Sequence, residues 1–78
     1  MTDYTELFKI TYSGTVRDLT TQIAGLTGVT NVSTSAGSSQ TVDETLACDI
    51  SYDTYETDRE ELSAQIETMD GVTEVVFG

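Results

Sequence analysis

The chain contains no histidine and no proline, and a single cysteine, Cys48. These absences exclude whole classes of chemistry. A Cys-His nucleophile cannot exist without histidine, and an internal disulfide cannot form from one thiol. A structural zinc site, which draws its ligands from cysteine and histidine, is excluded as well. General acid–base work is left to carboxylates, which need a desolvated cleft. A domain this short has little room for one, so the expectation is that the protein is not an enzyme and has no cofactor.

Basic residues are almost as scarce. Lys9, Arg17 and Arg59 face fourteen acidic residues, giving a formal charge of −11 on 78 residues. Such a field repels phosphate, so no nucleic-acid partner and no anionic membrane partner are expected. Scarce lysine, abundant threonine and strong acidity fit two readings: a protein of a salt-loving organism, where high ionic strength screens the repulsion, or an ordinary acidic solvated surface.

Long apolar runs are missing too. No stretch approaches the roughly 18–20 apolar residues of a membrane span. Met1-Thr2-Asp3-Tyr4 is acidic and polar, unlike the basic, then apolar start of a signal peptide. A cytoplasmic protein is expected, or one built into a virion. Seventy-eight residues make one domain, 1–78, burying only about 60–65% of the unfolded chain's surface. Domains of this size usually gain stability from a disulfide, a metal or association. With the first two excluded, a homo-oligomer or larger assembly is expected.

What is present is a repeat. Residues 19–32, LTTQIAGLTGVTNV, match residues 62–75, LSAQIETMDGVTEV, at an offset of 43. Leu19/Leu62, Gln22/Gln65, Ile23/Ile66, Gly28/Gly71, Val29/Val72, Thr30/Thr73 and Val32/Val75 are identical, and Leu26/Met69 is conservative. Two copies are too few for a solenoid, so the repeat implies a pseudo-two-fold inside one domain, with halves at 5–35 and 45–77.

Each half follows the same local logic. Leu19, Ile23 and Leu26 recur at helical spacing, as do Leu62, Ile66 and Met69, predicting helices over about 16–26 and 58–69. Thr15 with Asp18, and Thr57 with Glu60, resemble N-terminal capping pairs. Gly28 and Gly71 are expected to end the helices in the left-handed conformation. Before each helix the chain alternates: Phe8, Ile10 and Tyr12 share one side of a strand, and Leu46, Cys48, Ile50 and Tyr52 one side of another. After each helix, 29–34 and 72–77 are β-branched runs. Residues 36–44 read as a polar loop between the halves.

The order strand, helix, strand, strand, helix, strand predicts an α+β, ferredoxin-like βαββαβ two-layer sandwich: a four-stranded antiparallel sheet with two helices on one face. The expected core sets Phe8, Ile10, Tyr12, Val32, Cys48, Ile50, Tyr52, Val75 and Phe77 against Leu19, Ile23, Leu26, Leu62, Ile66 and Met69. The other sheet face then carries Leu7, Lys9, Thr11, Asn31, Ser33, Ala47, Asp49, Ser51, Glu74 and Val76.

The doubled passage L-x-x-x-I-x-x-L/M-x-G-V-x-x-V resembles the helix-to-strand passage of ACT-like domains. The resemblance implies a regulatory module that dimerises and binds a small molecule such as an amino acid. Ser13, Gly14 and Thr15 occupy the corresponding βα turn, where they would hold a ligand carboxylate at a helix start. The Asp-x-x-Gly signature of that family is absent, with Thr11 in the acid's place, and Gly14 could equally serve only to shape the turn. Heavy-metal-associated domains share the G-V-x-x-V passage, but the loop Ser13–Asp18 lacks their paired thiolates. An acylphosphatase would need a basic phosphate cradle beyond Arg17. An RNA-recognition motif would show aromatics on the open sheet face, where Phe8 and Tyr52 do not fall.

Two further features have plain explanations. Cys48, between Leu46 and Ile50 on the inward side of a strand, reads as a core residue. The carboxylates Asp53, Glu56, Asp58, Glu60 and Glu61 could attract a hard cation, but they lack an EF-hand spacing and equally suit a helix start and a solvated face. No metal site is assigned. Two functions of different class stay open: a non-catalytic ACT-like binding module, and a structural assembly subunit of a virion or scaffold.

Overall fold

The computed structural model describes residues 3–77, so Met1, Thr2 and Gly78, at the limits of the expected domain, lie outside the described residues. The chain folds as β1 (Asp3–Thr15), α1 (Val16–Ala24), β2 (Val29–Thr34), β3 (Thr41–Asp53), α2 (Arg59–Glu67) and β4 (Val72–Phe77). The sheet order is β2-β3-β1-β4 with every pairing antiparallel. This is the ferredoxin-like α+β sandwich that the alternation and helical spacing predict.

The central strands carry the fold. β1 and β3 pair without a break from Asp3↔Asp53 to Thr15↔Thr41. Phe8, Ile10 and Tyr12 of β1, and Leu46, Cys48, Ile50 and Tyr52 of β3, all point to the helix side and are buried. Leu19 and Ile23 of α1, and Leu62 and Ile66 of α2, close over them with no exposed surface. Phe8 meets Phe77 with ring centroids 6.0 Å apart.

The repeat has two registers. Tyr12 and Tyr52 are equivalent at an offset of 40, whereas the helices and following strands match at 43. The difference lies between strand and helix: Thr15 leads directly into α1, but Thr54–Asp58 intervene before α2. A three-residue insertion in that turn gives the second half its acidic loop.

Several local expectations need correction. The connection between the halves is shorter than 36–44, because Thr41–Thr45 extend β3 and pair with Thr15–Thr11. Ladder pairing overrides the loop-like polarity of Asp43 and Glu44 there. The helices end at Ala24 and Glu67, with Gly25 and Thr68 as right-handed caps. Gly28 and Gly71 do adopt positive φ, 88° and 86°, but in the turns that start β2 and β4. Asp58 rather than Thr57 caps α2, its carboxylate accepting from the Glu61 amide at 2.8 Å. Thr57 is pushed inward instead, and its buried Oγ1 has no hydrogen-bond partner among the described residues. Thr15 is the N-cap of α1 but makes no side-chain cap.

The core also differs in membership. Val16 is buried, although the spacing argument passed over it as the first helical residue. Val32, Leu26, Met69 and Phe77 are only partly buried, since they sit at the margins of the short outer strands and the helix ends. Glu6 lies on the inward side of β1 and is 7% exposed. Its carboxylate meets the Arg59 guanidinium at 3.5 Å, the one ion pair among the described residues. Arg59 also lies 5.5 Å from the Phe77 ring centroid, so its charge is shared between a carboxylate and an aromatic face.

Candidate functional site

The first candidate is the turn Ser13-Gly14-Thr15. Ser13 is an exposed residue on the strand side opposite Tyr12, and its amide donates to the Gly71 carbonyl at 2.9 Å. Gly14 pairs with Val42, and the Tyr12 ring lies across the space that a side chain at Gly14 would fill. Thr15 alone of the three lines a cavity of about 390 Å³, together with Arg17, Asp18, Ser38 and Ser39. The three residues therefore do not converge on one pocket, since Ser13 and Gly14 are engaged by the backbone and the Tyr12 ring and only Thr15 faces the cavity.

The helix start itself is already engaged. The Val16 amide donates to the Gln40 carbonyl and the Arg17 amide to the Ser38 carbonyl, each at 2.9 Å. The loop is folded for this purpose by its own bonds, Gln40 amide to Gly37 carbonyl at 3.0 Å and Gly37 amide to Gln40 Oε1 at 2.7 Å. A ligand carboxylate on these amides must first displace two carbonyls of residues 35–40. Sequence reasoning missed this device because nothing in GSSQ marks which amides its carbonyls will meet.

The second candidate is the open sheet face. It presents Leu7 of β1 and Val76 of β4, 38% and 49% exposed, with Ala47 on β3 at the other side of β1. Lys9 sits at the centre, opposite Ala47 on β3 and Val76 on β4, and makes no ion pair among the described residues. Asp49 and Glu74 flank it. Four hydroxyls on this face are paired with one another, Thr5 Oγ1 with Ser51 Oγ at 2.8 Å and Thr11 Oγ1 with Thr45 Oγ1 at 3.0 Å. Satisfied hydroxyls cost little to cover, whereas free ones would each forfeit a bond to water.

Cys48 and the acidic loop are quiet by contrast. Burial is the main cause that raises the Cys48 pKa to about 11, with Thr34 lowering it and Asp49 raising it. The group is a thiol at neutral pH and not a nucleophile. Among the described residues, no three of His, Cys, Asp or Glu are grouped to hold a metal ion. Asp53 accepts from the Tyr55 amide at 2.9 Å within the loop, and Asp58 from the Glu61 amide at 2.8 Å at the start of α2. No helix among the described residues is long and apolar enough to cross a membrane.

The Cys48 shift sets an alkaline limit on stability. The folded thiol titrates near 11 against an ordinary 9, so the unfolded chain loses its proton first as pH rises. Stability from this group is complete below pH 9 and drains between pH 9 and 11, by about 2–3 kcal/mol for a two-unit shift. Burial raises Tyr12 and Tyr52 as well, and their loss adds at the upper end. Cys48→Ala is expected to flatten the fall in urea midpoint across pH 8.5–10.5. An unchanged slope would remove the thiol from this account.

No family model, curated protein or solved structure matches the chain.

Proposed function

We propose that the chain is a non-catalytic binding module that acts as a homodimer, with the open faces of two sheets packed on one another. The observation that carries the reading is the chemistry of that face: exposed Leu7 and Val76, four hydroxyls satisfied in pairs, and Lys9 without an ion pair among the described residues, between Asp49 and Glu74. A two-fold pairing brings Lys9 of each copy toward the other's carboxylates. The molecule's 35 × 20 Å outline bounds such a face at roughly 700 Å² per copy, a little under the ~800 Å² of a standard interface. The ACT-like resemblance supports a dimer in regulatory use.

An open-ended assembly subunit, of virion or scaffold type, is the second reading. Its support is a pair of strand segments, Asp3–Leu7 of β1 and Thr41–Ala47 of β3, that lack an outer neighbour among the described residues. They lie toward opposite edges, so head-to-tail pairing would propagate. Asp3 and Glu6 on one, with Asp43 and Glu44 on the other, oppose that pairing by like charge. A closed dimer is therefore preferred.

Sedimentation equilibrium tests both. Twice the chain mass is expected, tightening as salt rises from 0.1 to 1 M and the screening length falls from about 10 to 3 Å. Leu7→Asp with Val76→Asp is expected to weaken the dimer at least 100-fold. Species much larger than a dimer would favour the assembly subunit, and a monomer at millimolar concentration in 1 M salt would overturn both.

A further inference from the structure

A groove of about 550 Å³ runs between the two helices, lined by Thr21, Gln22, Gly25 and Leu26 of the first half and Gln65, Thr68, Met69 and Asp70 of the second. Gln22/Gln65 and Leu26/Met69 are equivalent positions of the repeat, so the groove straddles the pseudo-two-fold. The Gln pair is otherwise unexplained. Leu19/Leu62 and Ile23/Ile66 are identical because they fill the core, whereas Gln22 is exposed and Gln65 only partly buried. Two carboxamides repeated at one place, outside the core, mark this surface as one the fold itself does not require.

The electrostatics select the occupant. The last turns of both helices line the groove, and neither carries a basic residue there. A helix C-terminus concentrates partial negative charge, and two of them meet here, their last carbonyls capped by backbone amides and the Thr68 hydroxyl but faced by no basic side chain of either helix's last turn. Asp70 adds a full charge. The half-buried Leu26 and Met69 supply apolar surface between the polar groups. An arginine side chain answers all of these together: its alkyl stem lies on Leu26 and Met69, and its guanidinium donates to the carboxamide oxygens and to Asp70. In a chain of net charge −11, a basic partner is also the one its field attracts.

We infer that this groove is the docking site for an arginine-bearing segment of a partner protein. It lies on the helix side of the molecule, so pairing of the open sheet faces leaves it accessible, and the inference stands whether or not the dimer forms. The plain acidity of the protein would draw any cation, and the test must separate that from recognition.

The probe is a short alanine-based peptide with one arginine, titrated in 0.5 M salt while the side-chain amide resonances of Gln22 and Gln65 are followed by NMR. Two further peptides carry lysine or norleucine at that position. The expected result is saturable shifts at both glutamine amides, strongest for arginine and at least tenfold weaker for norleucine. Gln22→Ala with Gln65→Ala leaves the net charge unchanged and is expected to weaken binding about tenfold. Glu60→Gln with Glu61→Gln removes two charges at the far end of α2 and is expected to change it less than twofold. Thr21→Lys, an exposed change at the groove rim, serves if the glutamine variant loses its fold, and should abolish the shifts. Equal binding of norleucine would make the groove merely apolar. Equal losses in the glutamine and glutamate variants would make the attraction one of net charge. Either outcome overturns the proposal.

Discussion

Gly71→Ala lowers the thermal midpoint by about 12–24 °C, the expected consequence of losing roughly 3 kcal/mol in a domain of this size. Two costs add. At φ 86° an L-residue is strained by about 1–2 kcal/mol. The new Cβ would then collide with the Ser13 carbonyl oxygen and crowd the Tyr12 ring. Ser13 and Tyr12 belong to β1, held between β3 and β4, so neither can yield. The turn must lift instead, breaking the bond from the Ser13 amide to the Gly71 carbonyl, worth about 1 kcal/mol. Gly28→Ala is the internal control. Its φ of 88° brings the same strain, but its Cβ meets side-chain atoms of Thr57 and Glu56 in the longer loop. It should cost about 1–2 kcal/mol. Equal drops at both glycines, measured by thermal circular dichroism, would show that the β1 backbone is not the obstacle.

That asymmetry between equivalent glycines also shows what the sequence could and could not reveal. The periods of two and 3.6 residues are imposed by burial, so Ile10, Ile50, Ile23 and Ile66 announced their elements directly. The repeat announced the pseudo-symmetry. Boundaries were less legible, because they depend on partners distant in the chain. Thr41–Thr45 became strand by pairing with β1, and Thr57 lost its capping role to Asp58 when the loop turned it inward. The buried Glu6 could have been found: an acid at an even position of β1, in phase with Phe8 and Ile10, breaks the inward pattern. The helix start at Thr15 could not, since the carbonyls of Ser38 and Gln40 that occupy its amides come from a loop with no sequence signal for that contact. The groove between the helices was half legible. Gln22 and Gln65 stood out as repeated, but helical spacing places them outside the apolar stripe and says nothing of what lies between the helices.

Ile23→Ala and Ile66→Ala should each cost about 2–5 kcal/mol, because both side chains are wholly buried and truncation leaves a cavity in the core. A chain of 78 residues has a total stability of about 4–12 kcal/mol, so either change consumes much of it and the two together leave an unfolded polypeptide. Pseudo-symmetry predicts comparable single losses, since each isoleucine plugs its own helix onto the same sheet. A large loss at one site and a negligible one at the other, in urea titrations, would mean that one helix is not anchored through this residue. The single variants also report on association. If the open sheet faces pair, binding stabilises only the folded chain, and the deficit of Ile66→Ala shrinks as protein concentration rises. Its melting midpoint should climb between 5 and 500 μM (concentrations on the order that spans weak self-association), and the climb should vanish when Leu7→Asp and Val76→Asp are added. A midpoint independent of concentration in both backgrounds would detach the stability of this small core from any partner and remove the physical reason for expecting a dimer.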